Sequence, residues 1–183
     1  MRISSLVIWA PITLMMCACS NSQPTAPAAK PKEGAPAAQI HGNLSQVMRG
    51  ILFPNSNVIF AGKNANPADL KPDKDPSTAT DPLLSTYGGW TAVENSGIAL
   101  AEAANLLTIP GRKCSNGHDA PITNPDWPQL VQGLRDAGMK AYEAGKSKNM
   151  DKLVDAADTM TTACANCHEK YRDKPGGDAA RCM

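Results

Sequence analysis

An all-α fold, an antiparallel four-helix bundle, is predicted by three features of the sequence. Four segments between residues 41 and 174 repeat apolar residues at the three- and four-residue spacing of one helical face. No run of alternating β-branched residues is long enough for a strand. Alanine is abundant and aromatics make up only 4% of the chain, so the helices would meet through small side chains.

Helix one is expected over about 41–61. Leu44, Val47, Met48, Ile51, Leu52, Asn55, Val58 and Ile59 step round one buried face. Pro54 sits inside this pattern. It removes a backbone hydrogen bond and its ring meets the carbonyl of Gly50, so a kink is expected there. Residues 62–82 hold Pro67, Pro72, Pro76 and Pro82 and read as a long connection. It is either irregular surface chain or a cover over the site discussed below.

Helix two is expected over about 82–107, with Leu84, Tyr87, Trp90, Gly97, Ala101 and Ala104 on one face. Ile109-Pro110-Gly111 ends it, and the following loop carries Cys114, His118 and Pro121. Helix three should open with a cap at Asn124 or Asp126 and Pro125 near its first turn. Trp127, Leu130, Leu134, Ala137 and Ala141 give its inner face. After a break at 145–148, helix four opens at Asn149 and carries Leu153, Ala156, Ala157, Met160, Cys164 and Cys167 inward. Pro175-Gly176-Gly177 stops it, and residues 175–183 form a tail. Trp90 and Trp127 fall on apolar faces and are expected in the core; a specific contact with the site discussed below is the alternative.

The two ends of the domain differ in kind. Residues 1–18 read as a targeting segment: Arg2, then an apolar run from Ile3 to Met16, short for a membrane span. Met16-Cys17-Ala18-Cys19-Ser20 resembles a bacterial lipobox, with cleavage after Ala18 and acylation of Cys19. An ordinary secretory signal is the alternative. Residues 19–40 are rich in proline and alanine and read as a disordered tether. A periplasmic domain held to a membrane is therefore expected. Residues 41–174 form one domain by length. Lysine plus arginine (18) nearly balances aspartate plus glutamate (17), so no nucleic-acid partner is indicated.

The chemistry lies in Cys164-Ala165-Asn166-Cys167-His168. Two cysteines two residues apart, followed at once by histidine, form the attachment signature of c-type haem. Each thiol adds across one vinyl group, and the histidine becomes the proximal iron ligand. Three other readings compete. A thioredoxin-like pair needs a preceding strand, yet both flanks look helical. A zinc site would recruit Cys114 or His118 but lacks a second close pair. A Cys164–Cys167 disulfide on a helix would be strained. Covalent haem c is the expected cofactor. Arg172, four residues after His168, shares its face and is a candidate for a propionate contact; a solvated position is the alternative.

The stretch Ala163-Cys164-Ala165-Asn166-Cys167-His168-Glu169-Lys170-Tyr171-Arg172, late in a fourth helix, resembles the class II cytochromes c, the cytochrome c′ and cytochrome c556 group. The helix-level resemblance covers about 41–172, and only these last residues are motif-specific. It departs at the lipoprotein-like leader, the 62–82 connection, Pro54, and cysteines 114 and 182. The resemblance implies an electron carrier with redox partner proteins, or a five-coordinate protein binding nitric oxide or carbon monoxide. A homodimer is implied by resemblance alone. No nucleophile and base occur in motif context, so an enzyme is not expected.

The distal iron ligand separates the two functions. Helix one should run antiparallel to helix four across the haem. His168 would lie roughly 6 Å from the end of its helix and Met48 roughly 10 Å from the start of helix one. Met48 is the leading candidate, and the resemblance to cytochrome c556 agrees. His118 is its rival, His41 would sit at the rim, and Met139, Met150 and Met160 are on other helices. A plain core methionine is the alternative, leaving five-coordinate iron. Cysteine counting adds a last expectation. Cys17 leaves with the leader, Cys19 takes lipid, and Cys164 and Cys167 take haem. Cys114 and Cys182 remain, to pair as a disulfide in an oxidising compartment or to stay as two free thiols.

Overall fold

A computed structural model describes residues 38–177 and 180–182. The expected leader at 1–18, Cys19 and the tether as far as residue 37 lie outside the described residues. The described chain is all-α, with no strand; one isolated bridge pairs Lys113 with Asp119. No helix among the described residues is long and apolar enough to cross a membrane.

Helix α1 starts at Leu44–Val47, passes through a π-helical turn at Met48–Leu52 and continues over Phe53–Asn64. A capping box opens it: Asn43 accepts from the Gln46 amide, and the Gln46 side chain accepts from the Asn43 amide. Pro54 was expected to kink the helix. The structure has a widened turn just before it, in which the Phe53 N–H reaches back five residues to the Met48 carbonyl. The helix also runs three residues beyond the expected end.

Helix α2 spans Trp90–Ala103 and tightens into a 3₁₀ turn at Ala104–Thr108. It does not begin at residue 82. A separate 3₁₀ turn, Pro82–Leu84, is followed by irregular chain, because Gly88 and Gly89 break the helix. A Cβ on Gly88 would lie 2.4 Å from the Leu83 carbonyl oxygen, and Gly89 has φ +59°. Between α1 and the 3₁₀ turn, residues 65–81 form turns and irregular chain, held in part by the Asp73 N–H donating to the Leu84 carbonyl (3.0 Å).

Helix α3 spans Trp127–Ser147 with Asp126 at its N-cap and Pro128 in its first turn. The Asp126 side chain makes no capping bond, contrary to expectation. Helix α4 spans Met150–Tyr171, and Asn149 caps it as expected by accepting from the Lys152 amide.

Helix α3 packs on both α2 and α4, while α1 packs on α2 and α4. The core between them is apolar: Ile59, Val93, Leu100, Trp127, Ala137, Ala141, Leu153 and Met160 are almost fully buried. Trp90 joins this core as well. Ion pairs Lys63–Asp158 (2.9 Å) and Lys140–Asp155 (3.1 Å) tie α4 to α1 and α3 at the surface.

Candidate functional site

The residues of the CxxCH stretch lie on the last two turns of α4, one helical turn or less apart. That spacing puts Cys164, Cys167 and His168 against a single cavity of about 800 Å³. Its volume lies in the range of small-molecule and cofactor sites. Across from them, α1 contributes Leu44, Met48, Arg49, Leu52 and Phe53. The floor comes from Leu100 and Leu107 of α2 and from Trp127, Leu130 and Val131 of α3. The walls are largely apolar.

Met48 lines this cavity and His118 does not. His118 is exposed and borders a separate, much smaller recess beside Cys114. His41 is exposed and also outside the cavity. Met139, Met150 and Met160 contribute nothing to its wall. No residue of 62–82 lines it either, so that connection does not cover the site.

Burial shapes the chemistry of the motif. Cys164 and Cys167 are half-buried, unpaired thiols. Loss of water raises the thiol pKa of both; that of Cys167, beside Cys164 and Asp126, rises to about 11. At neutral pH both are therefore thiols. Burial, and secondarily the Arg172 cation, lowers the pKa of His168 and favours its neutral imidazole, the form that can donate a nitrogen lone pair.

Arg172 lines the cavity, but its guanidinium already grips Asp173 through two bonds, Nε–Oδ1 at 2.7 Å and an Nη2 bond at 2.8 Å. Any anionic group at this rim would compete with that pair. Arg49 and Phe53 also lie at the cavity, with Phe53 63% exposed. No local signal marks either residue, since only the packing of α1 brings them there.

Cys114 and Cys182 form a disulfide with Cα atoms 5.1 Å apart. Cys182 also borders the cavity, and its amide donates to the Tyr171 carbonyl (2.9 Å). The bridge thus lays the chain end beside the last turn of α4. A zinc site finds no support in this arrangement. Cys114 is bonded elsewhere, and among the described residues no three His, Cys, Asp or Glu side chains are grouped so as to hold a metal ion.

The donor set fits a covalently held haem: two unpaired thiols, a neutral imidazole beside them and a thioether opposite, around an apolar space. No family model, no curated protein and no solved structure matches this chain.

Proposed function

We propose that this chain is an exported c-type haem protein acting in electron transfer, an antiparallel four-helix bundle with one haem held by Cys164 and Cys167. In this reading His168 and Met48 would hold its iron. The observation that carries it is the convergence of Cys164, Cys167, His168 and Met48 on one largely apolar cavity. The cyclic packing of the four helices and the disulfide joining the α2–α3 loop to the chain end support the bundle arrangement.

Bound haem would supply a one-electron couple. The chain's own residues set its surroundings. Cys164 and Cys167 would hold the haem as thioethers, each S–H adding across one vinyl group with nothing leaving. His168 presents a neutral nitrogen. Met48 presents a soft sulfur, which favours the reduced state. Leu52, Leu100 and Val131 exclude water, and Arg49 and Arg172 offer cations at the rim. The expected lipid at Cys19, with a tether of about twenty residues, would hold the domain at a membrane where redox partners reside.

A second reading is favoured by one observation. Met48 packs against the buried core as well as lining the cavity. If it stays a core residue, the iron is five-coordinate and the protein binds nitric oxide or carbon monoxide.

Two measurements test these readings. After denaturation in acid and organic solvent, the polypeptide mass should include the haem; extraction of the haem would refute covalent attachment. Oxidised protein should be low-spin with the near-infrared band of sulfur ligation, and Met48→Ala should become high-spin. A wild type already high-spin would favour the gas-binding reading.

A further inference from the structure

The inward positions of α1 are Leu44, Val47, Leu52, Ser56 and Ile59, all buried. The step from Val47 to Leu52 is five residues. At about 100° per residue an α-helix would turn about 500° over that step, leaving Leu52 roughly 140° round from Val47. The π turn at Met48–Leu52 absorbs one residue, so that the step turns by about 400° and both faces point inward. The helix therefore consists of two segments whose facing does not match without the widened turn.

Such a turn persists only if both flanking segments are held. The later segment is held by its long buried face and by the Lys63–Asp158 pair. The first turn is only four residues long, held by its capping box and by the buried Leu44 and Val47. A further anchor, which fixes the turn's entry, comes from the α2–α3 loop. Arg112, only 3% exposed, donates from Nη1 to the Gly42 carbonyl (2.6 Å) and from Nε to the Leu106 carbonyl (2.9 Å). Next to it, the Lys113 carbonyl accepts from the Leu44 amide (2.8 Å). An arginine remains charged at any accessible pH, and burying it is costly. Here its donors clamp the entry of α1 to the end of α2.

Met48 belongs to the anchored turn, since its amide still bonds to the Leu44 carbonyl. Its direction is thus set by the clamp and not by the longer segment that follows. We propose that Arg112 is a positioning residue that aims Met48 into the cavity by holding the first turn of α1 against the π turn. The inference rests on the reading of Met48 as the distal ligand. Without the clamp the π turn relaxes to α-helix, the first turn rotates by about 100°, and Met48 leaves the cavity.

The test uses the haem-loaded protein. In Arg112→Met the ferric spectrum should move toward high-spin, and carbon monoxide should bind the reduced protein about tenfold tighter or more, because the closed fraction falls. Amide exchange at Leu44 and Phe53 should accelerate, a readout independent of the haem. The decisive background deletes Gly50, around which a Cβ would meet nothing within 4 Å, and carries Pro54→Ala. That helix is regular and faces inward throughout, so the clamp has nothing to hold. Wild-type Arg112 and Arg112→Met should both be low-spin there. Equal loss of the low-spin form in both backgrounds would reduce Arg112 to general stability and overturn the proposal, as would an unchanged spectrum in Arg112→Met alone. If Arg112→Met fails to fold, Arg112→Gln, which keeps a shorter donor, replaces it under the same criteria. Failure of the ligand reading is distinguishable, because Met48→Ala would then leave the wild-type spectrum unchanged.

Discussion

The Tyr171 hydroxyl donates to the Asp126 carboxylate at 2.7 Å, joining the last turn of α4 to the start of α3. The Tyr171 ring meets Trp127 edge-on, with centroids 5.2 Å apart and planes at 75°. Both rings line the cavity. Asp126 also pairs with Lys170 (2.7 Å). Its carboxylate is therefore spent on α4, which is why it does not cap its own helix.

Acid should weaken this joint. The Lys170 ammonium, and after it the Tyr171 hydroxyl, hold the Asp126 carboxyl below its ordinary value. A lowered native pKa contributes stability above the unfolded value near about 3.9, and that contribution is lost as pH falls through the native value. Wild type should therefore melt above Asp126→Asn near neutrality. The difference should shrink below about pH 4. A difference constant across thermal scans from neutral to acid would show that the carboxylate charge is not what matters.

Helices α2 and α3 touch through their backbones. A Cβ on Gly97 would sit 2.3 Å from the Tyr142 nitrogen, and one on Gly145 would sit 2.6 Å from the Glu94 nitrogen. Backbone atoms cannot step aside, so Gly97→Ala should destabilise by about 1–3 kcal/mol or more despite the better helix propensity of alanine. Gly133→Ala, where a Cβ meets nothing within 4 Å, should instead stabilise by about 0.5–1 kcal/mol. Urea unfolding of the pair measures both signs.

Removing the disulfide should cost stability through the unfolded chain. Its residues are 68 apart in sequence, and closing so long a loop is worth roughly 4 kcal/mol in the chain-entropy model. Cys114→Ser/Cys182→Ser should unfold at correspondingly lower denaturant. Thiol titration of unreduced, unfolded wild type should find neither cysteine free.

Substituting His118 and His168 should have opposite results. His118→Ala should leave the visible spectrum as it is, since His118 lies outside the cavity. His168→Ala should remove the proposed proximal ligand and change the spectrum even where thioether bonds form. A spectrum altered by His118→Ala would reinstate it as the distal ligand.

What could be read from the sequence depended on local spacing. The motif cysteines and His168 share a face because residues three and four apart on a helix must do so. The Asn149 cap and the Cys114–Cys182 pair were legible for similar reasons, the first from side-chain chemistry and the second from counting. Gly88-Gly89 was a legible break that the apolar pattern of residues 84–107 concealed. Tertiary structure decided the rest. It separated Met48 from His118, because a loop's direction follows from its packing and not from its residues. It placed a π turn just before Pro54, and it anchored the entry of α1 through Arg112, which lies 70 positions beyond the Gly42 carbonyl it bonds. It drew Asp126 away from its own helix, because a buried tyrosine hydroxyl and a lysine on α4 reached the carboxylate first. Each of these outcomes is a competition between a local preference and a distant partner, and only the folded chain brings the partner within reach.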